Sequence, residues 1–256
     1  MTGNAPAATR ALEALRVLAA APGPVTAAAL GRQLGIPRSS TYHLLAAMSG
    51  AGFVTHYPEE ERWGLGVGAF EIGAAYLRHD PLERLGRPLL HRLAHDVAPR
   101  AAVVAHLGVL HGRETLYLLR ESPRTPVTVV VDVGVRLPAA LTASGRTMLA
   151  ALPAAQLRAL FPSKEAFVDR TGAGPTSLTA LTRLLASERA RGWAEEDGFV
   201  APGFASVAAA ALDRSGRPVA SIGLTFRSER VDGAVRADLA RSAGRTAREL
   251  SRRLGA

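Results

Sequence analysis

A short segment near the N-terminus gathers side chains that can contact phosphate oxygens and the edges of nucleic-acid bases. Arg38, Ser39, Ser40, Tyr42 and His43 follow one another closely along the chain. A guanidinium can bond a phosphate or a guanine, whereas hydroxyl and imidazole groups offer donors and acceptors of short reach. The segment therefore predicts contact with duplex DNA, provided that a helix presents these side chains to solvent.

The surrounding residues predict a helix-turn-helix that would present them. Thr26 is a good N-cap for a first helix, and Gly35 ends that helix because glycine reaches positive φ at little cost. Pro37 suits the first turn of a second helix. The apolar face of that second helix is formed by Leu44, Leu45 and Met48. An earlier helix, capped by Thr9, would complete a three-helix core.

A short hairpin is predicted directly after these helices. Residues 53–55 and 62–65 can pair as two strands across the polar tip 56–61, which makes a wing. Thr26, His56 and Arg62 join the five residues above as candidates for DNA contact, with Arg62 able to enter a minor groove. The three glutamates at 59–61 would repel phosphate, so we expect them to point away from the duplex.

The net charge of +9 does not by itself support a nucleic-acid partner. Six arginines and six acidic residues cancel within residues 1–80, so the excess lies in residues 81–256. Residues 32–58, however, contain Arg32, Arg38, His43 and His56 and no acidic residue. The local placement of positive charge therefore favours DNA as the partner of this segment. The alternatives are a winged-helix module for protein interaction and a nonspecific architectural DNA binder.

The remainder of the chain predicts a linker helix and an α+β domain. We expect a disordered tail at 1–8, the winged helix at 9–66, a linker helix at 67–80 and a second domain at 81–256. Strands at 102–107, 115–121, 127–131, 205–213 and 218–226 interleave with helices, which is typical of an antiparallel sheet flanked by helices. The chain has no cysteine, so we expect no disulfides and no thiolate sites. It also has no long apolar run and no signal-peptide pattern, so we expect a cytoplasmic protein that does not bind a membrane.

Residues 142–146, with the sequence TASGR, predict a site for a small ligand. Small side chains at a helix start leave backbone N–H groups free for an anion, so Ala143, Ser144, Gly145 and Arg146 are candidates, with simple capping by Ser144 as the alternative. Ser206 and Ser221 interrupt apolar strands, where they serve either a ligand or a neighbouring strand. Asp197 is a further candidate, although residues 195–197 also fit a solvated loop.

Two other patterns predict no chemistry. His91 and His95 share one helix face, but no third ligand accompanies them, so we expect no metal site. Residues 64–69, GLGVGA, match a loose dinucleotide fingerprint, yet a polar segment stands where a buried strand should precede it. We expect no cofactor and no catalytic residues. An enzyme built on residues 81–256 is an alternative, but the sequence shows no activated nucleophile, no pair of catalytic carboxylates and no set of metal ligands that would support it.

Four motifs in order resemble the IclR family of bacterial transcription regulators. They are LGIPRSSTYHLLAAMSGAGFV, RWGLGVGAFEIG, LPAALTASGRTMLAALP and ERARGWAEEDGFVAPGFASVAAAALD. The resemblance implies a winged helix-turn-helix, a linker helix and a GAF-like effector domain. It also implies a dimer or a dimer pair on a palindromic DNA operator, controlled by a small-molecule effector, either an organic acid or an aromatic metabolite.

The chain departs from the family pattern at four positions. His43 stands where the family usually has a basic residue, and Arg146 stands where a lysine is common. Phe199 replaces a frequent acidic residue, and Ala210 replaces a frequent proline. These departures predict a different base preference and a pocket more apolar than that of an organic-acid sensor.

Overall fold

The computed structural model describes residues 5–79, 81–122 and 131–255, and the chain divides into two compact units, residues 1–79 and 80–256. The first unit contains four helices and a three-stranded antiparallel sheet among its described residues. Its elements are α1 (Pro6–Ala20), β1 (Val25–Thr26), α2 (Ala27–Leu34), α3 (Arg38–Gly50), β2 (Val54–Tyr57), β3 (Arg62–Leu65) and α4 (Val67–His79). The strand order is β1-β3-β2, and a 3-10 turn, Pro58–Glu60, forms the tip of the β2-β3 hairpin.

The expected signals of the helix-turn-helix are confirmed. The Thr26 side chain accepts a hydrogen bond from the Ala29 amide, and Gly35 ends α2 with φ of 63°. Helices α2 and α3 approach closely, because a Cβ at Gly31 would stand 2.7 Å from Thr41 Oγ1. Leu30, Leu45 and Trp63 are among the buried side chains that form the core beneath them. The tight turn and the small residue at 31 thus set the angle at which α3 is presented.

The start of α1 differs from the expectation. The helix begins at Pro6 rather than after Thr9, so residues 6–8 belong to the helix and not to a disordered tail. Proline is favoured in a first helical turn, where its missing N–H costs nothing. The Thr9 hydroxyl bonds the Ala5 carbonyl from inside the helix instead of capping it. In the wing, His56 and Tyr57 extend β2 into the region expected to be the polar tip.

The second unit is a six-stranded antiparallel sheet with helices on both faces, which confirms the α+β class. Its elements are α5 (Pro81–Val97), β4 (Val103–His111), β5 (Glu114–Glu121), β6 (Arg136–Pro138), α6 (Ala143–Leu149), α7 (Ala154–Leu160), α8 (Leu178–Arg191), β7 (Ala194–Asp197), β8 (Phe204–Leu212), β9 (Pro218–Arg227) and α9 (Gly233–Arg253). The strand order is β6-β5-β4-β9-β8-β7. Of the helices in the described ranges, none is long and apolar enough to cross a bilayer.

Alternation along the central strands separates the two faces of this sheet. One face is apolar, with Leu107, Ile222 and Leu224 packed against α5 and α9. The intervening residues of β4, β8 and β9 are small or polar and face α6. The residues on this second face are Val104, His106, Gly108, Ser206, Ala208, Ser221, Gly223 and Thr225. The sheet therefore reserves one side for the core and the other for polar contacts.

Two strands were not expected from the sequence. β6 and β7 form the two edges of the sheet, and β7 (Ala194–Asp197) contains residues 195–197, for which a solvated loop is one of the two expectations. β7 pairs with β8, so Glu196 stands opposite Ser206 and is buried. The strand expected at 127–131 lies outside the described residues, apart from Val131, which is not in a strand.

Candidate functional site

The candidate DNA-contact residues of α3 lie on its solvent side. Arg38, Ser39, Tyr42 and His43 are exposed and Ser40 is half-buried. The opposite side of α3 is anchored in the core by Thr41, Leu45 and Met48. A helix whose leading turn projects from a three-helix core is the arrangement that enters a major groove.

The geometry of this face suits an anionic partner. The Arg38 guanidinium lies 5.7 Å from the centre of the Tyr42 ring, which orients it without neutralising it. No ion pair to an acidic group is formed by Arg38 within the described residues. The charge of Arg38 therefore remains available to a phosphate or a base.

The other candidates in this unit are held more tightly. The Thr26 hydroxyl caps α2, and the His56 ring stacks on Trp63 with the ring centres 4.4 Å apart. Arg62 donates from Nη1 to the Pro24 carbonyl at 2.9 Å, and its Nε lies 4.0 Å from Glu60. Arg62 would have to give up these contacts to enter a minor groove.

A buried pocket lies between α6 and the polar face of the sheet in the second unit. Its volume is about 20 Å³. A chamber of about 20 Å³ has room for about one water molecule. The lining residues are Tyr117, Val131, Leu137, Thr142, Ala143, Ser144, Glu196, Val200, Ala201, Phe204, Ser206 and Thr225. Half of these residues are apolar, and the polar ones come both from the sheet and from the start of α6, where Thr142 and Ser144 lie.

A chain of hydrogen bonds, which we call the polar ladder, crosses four strands on the sheet side of this pocket. Ser206 donates to Glu196 Oε1 at 2.8 Å, Ser206 and Thr225 hydroxyls lie 2.9 Å apart, and His106 Nε2 lies 2.9 Å from Thr225 Oγ1. Glu196, Ser206 and Thr225 occupy directly opposed positions on β7, β8 and β9. The register of the sheet therefore builds the ladder.

Burial governs the protonation of these groups. Burial raises the pKa of Glu196 to about 7, although the hydrogen bond from Ser206 and the charge of Arg146 oppose this rise. Burial also lowers the pKa of His106 to about 3. Burial also raises the pKa of the Tyr117 phenol well above its ordinary value. At neutral pH His106 and Tyr117 are therefore uncharged, and Glu196 is the one ladder residue that titrates near pH 7.

Two buried polar atoms beside the ladder make no hydrogen bond to any described residue. They are His106 Nδ1 and Ser144 Oγ, the latter near the Tyr117 phenol but without hydrogen-bond geometry. A Cβ at Gly223 would stand 2.8 Å from His106 Nδ1 and 2.9 Å from Ser144 Oγ, and only 2.1 Å from His106 Cε1. Glycine opposite His106 is therefore required to make room for the ring.

Arg146 does not face the pocket, contrary to the expectation. Its side chain is fully buried and its Nε lies 2.9 Å and 3.1 Å from the two carboxylate oxygens of Glu188 on α8. It also donates to the carbonyls of Ala140, Leu141 and Glu195. Burial raises the pKa of Glu188, and the Arg146 charge opposes that rise. Arg146 thus ties α6 to α8 and β7 and does not line the pocket.

The seven expected ligand residues divide between the pocket and the surrounding structure. Ala143, Ser144 and Ser206 line the pocket. Gly145 packs on Ala139, where a Cβ would stand 2.4 Å from the backbone, and the Ser221 hydroxyl donates to the Gly108 carbonyl. Asp197 is bound by Ser228 and Arg236 at the surface. Gly145, Arg146, Asp197 and Ser221 therefore support the fold around the pocket without lining it.

Sequence reasoning missed Tyr117, Glu196 and Thr225. Thr225 alternates with apolar residues in β9 in the same way as Ser221, so the pattern that pointed to the serines could also have found it. Glu196 carried no such signal, because its acidic neighbours are typical of solvated segments. The His91 and His95 rings lie 4.4 Å apart, and no group of three candidate metal ligands occurs among the described residues.

Comparisons with known proteins agree with this architecture. Residues 7–58 match the IclR helix-turn-helix domain, and residues 74–252 match the bacterial transcriptional regulator IclR C-terminal domain. The glycerol operon regulatory protein of Streptomyces coelicolor is 31% identical over 100% of this chain and 99% of its own length.

Solved structures show the same fold. The IclR transcriptional regulator of Alicyclobacillus acidocaldarius has a TM-score of 0.87 at 20% identity, covering 99% of this chain and 100% of its own. An IclR homologue of Microbacterium hydrocarbonoxydans, solved with 4-hydroxybenzoate, has a TM-score of 0.78 at 21% identity, covering 96% and 99%. The matched domains are those of regulators, which removes the enzyme alternative. The chain belongs to the IclR family of DNA-binding transcriptional regulators.

Proposed function

We propose that α3 reads a specific DNA operator in the cytoplasm and that a small molecule in the buried pocket changes the affinity for it. The exposed leading turn of α3 is the observation that carries the proposal. Arg38, Ser39, Tyr42 and His43 are free to contact bases and phosphates there. We propose that four further residues contact the DNA backbone nearby, namely Ser40, Thr26, His56 and Arg62.

An apolar face on the first unit supports assembly into a homodimer, or a pair of dimers. Leu12 is 60% exposed, Phe70 74% and Ile72 60%, although all three are large apolar side chains. Leu12 and Ile72 line an apolar cavity of about 670 Å³ between α1, α3 and α4, together with Leu15, Leu44 and Phe53. Apolar patches of this kind usually mark an interface. A twofold dimer would present two copies of α3 to a palindromic operator.

The pocket supports a small-molecule effector. An apolar cavity with a few convergent polar groups is the usual form of a ligand site. An effector changes operator affinity only if it prefers one arrangement of the dimer, so its binding and DNA binding must be linked. The effector proposed here is an organic acid or an aromatic metabolite.

The DNA proposal is tested by Arg38→Ala in a gel-shift titration with an operator found by selection from random duplexes. We expect a loss of about 1–3 kcal/mol on the selected operator if Arg38 reads a base. Arg16→Ala, an exposed arginine on α1, is the matched control and should leave affinity unchanged. Equal affinity of wild type and Arg38→Ala would remove Arg38 from the interface. A failure of selection to enrich any sequence would instead favour a nonspecific architectural binder.

A further inference from the structure

The chamber beside α6 is far smaller than an ordinary ligand site. Its volume of about 20 Å³ has room for about one water molecule, whereas pockets that bind small molecules usually enclose roughly 300–1,000 Å³. An organic effector can therefore enter only if part of the wall moves. The contacts that hold each part of the wall decide which part is free to do so.

Most of the described wall is firmly held. All seven residues of α6 are buried, and Arg146 fastens that helix to α8 and β7. The strands that contribute to the wall are each hydrogen-bonded to a neighbouring strand. Residues 131–135 are held to β5, because the Tyr117 amide donates to the Val135 carbonyl at 3.1 Å and the Gly134 amide to the Tyr117 carbonyl at 2.8 Å. These parts can move only at the expense of several backbone hydrogen bonds.

The remaining part of the wall is the connection between β7 and β8, residues 198–203, which contributes Val200 and Ala201 to the lining. Glycines with positive φ stand at both of its ends, with φ of 73° at Gly198 and 76° at Gly203. A Cβ at either glycine would meet no atom within 4 Å. Glycines in open surroundings can absorb large changes of φ and ψ, so both ends of this connection suit a hinge.

Two side chains from one distant loop fasten this connection. Thr171 Oγ1 donates to the Gly198 carbonyl at 2.7 Å, and Arg170 Nε donates to the Val200 carbonyl at 3.2 Å. Neither bond belongs to the ladder of a sheet. Both can therefore break while the strands stay paired.

Phe199 joins the same connection to the polar ladder. Its amide donates to Glu196 Oε2 at 3.1 Å, and its ring centre lies 5.1 Å from the Arg146 guanidinium. Movement of the connection away from the chamber would give up these contacts. The closed arrangement is thus favoured when nothing occupies the chamber, and opening is linked to the carboxyl group at one end of the ladder.

We propose that residues 198–203 form a lid over the chamber, hinged at Gly198 and Gly203 and latched by Arg170 and Thr171, and that the lid lifts to admit the effector. The proposal rests on the proposed effector role of the pocket. Ser144 lines the chamber and is 1% exposed, so it reaches solvent only when the lid is lifted.

The test measures opening with a single buried thiol, which is practicable because the chain has no cysteine. Ser144→Cys places the thiol on the chamber wall of the folded full-length protein, and the rate of its reaction with dithionitrobenzoate is recorded. Ser221→Cys is the matched control, since Ser221 is 0% exposed on the same face of the sheet but does not line the chamber. We expect the thiol at 144 to react at least about tenfold faster than the thiol at 221, because local opening is more frequent than wider unfolding.

Thr171→Val removes the latch hydroxyl and should accelerate the reaction at 144 about three- to tenfold without changing the reaction at 221. Thr182→Val, at an exposed threonine of α8, is the control for this substitution and should change neither rate. A general loss of stability would accelerate both thiols, so the ratio of the two rates isolates the lid. Equal rates at 144 and 221, or a rate at 144 that Thr171→Val leaves unchanged, would overturn the proposal. Ala143→Cys, at another lining residue that is 0% exposed, gives the same test if Ser144→Cys does not fold.

No ligand is present in this experiment, so its result judges the lid alone. The effector role is judged separately, by gel-shift titrations of wild type with a set of organic acids and aromatic metabolites. That role fails if none of them changes the affinity for the operator.

Discussion

Replacement of Glu188 by alanine should destabilise the second unit severely. Arg146 is 0% exposed and Glu188 2% exposed, so the substitution would leave a buried guanidinium charge without its carboxylate. Its bonds to the Ala140, Leu141 and Glu195 carbonyls would remain, but these neutral acceptors do not balance the charge. Breaking a buried ion pair from one side costs about 3–5 kcal/mol. A loss of that size is a large share of the roughly 5–15 kcal/mol that stabilises a typical domain.

The matched control is Glu249→Ala, the same substitution at a helical glutamate whose partners lie at the surface. Glu249 pairs with Arg92 and Arg253 and is 34% exposed, so its loss should cost at most about 1 kcal/mol. The free energy of unfolding is measured by urea titration of the full chain. Trp63 lies in the first unit and Trp193 in the second, so a Trp63→Phe background makes the fluorescence report the second unit alone.

The two costs separate the possible outcomes. A loss for Glu188→Ala that exceeds the loss for Glu249→Ala by about 2 kcal/mol or more supports the buried charge as the cause. Equal losses below about 1 kcal/mol would refute the reasoning, because the carbonyl acceptors alone would then satisfy Arg146.

Two further predictions concern the polar face of the sheet. Burial raises the Glu196 pKa from 4.5 to about 7, so its contribution to the free energy of unfolding is fully present below pH 4.5 and is lost, by about 3 kcal/mol, as the pH rises through 7. Urea titrations at pH 4.5 and pH 8 should show this loss in wild type relative to Glu196→Gln. Parallel pH profiles of the two proteins would contradict the prediction. Gly223→Ala would place a Cβ 2.1 Å from His106 Cε1 and should lower the free energy of unfolding by about 1–3 kcal/mol, with partial rescue by His106→Ala. The control is Gly244→Ala in α9, which should be tolerated because the nearest atom lies 3.5 Å away. A Gly223→Ala protein of wild-type stability would disprove the crowding.

Local signals were sufficient to predict the helix-turn-helix. Thr26 caps α2 and Gly35 ends it with positive φ, each through groups within four residues. Such caps depend on the backbone nearby and are therefore visible in the sequence. The same holds for the alternation that singled out Ser206, since strand periodicity assigns side chains to faces before the partner strand is known.

Contacts between distant parts of the chain were not predictable in this way. Arg146 was expected to face a ligand because its partner, Glu188, lies 42 residues further along the chain. Glu196 was not among the expected site residues, because only the pairing of β7 with β8 buries it against Ser206. In both cases the decisive partner is brought by the topology, which no local pattern of charge reveals.

The polar ladder makes its members act as one unit. While Glu196 is ionised, Ser206 donates to it, so Thr225 must donate to Ser206, and His106 must donate from Nε2 to Thr225. Each hydroxyl in it owns one proton, so if Glu196 became protonated and donated to Ser206, Ser206 and Thr225 would have to reverse as well. His106 would then accept at Nε2 and hold its own proton on Nδ1. The tautomer of a histidine on β4 would thus record the protonation of a carboxyl group three strands away, without any net charge crossing the sheet.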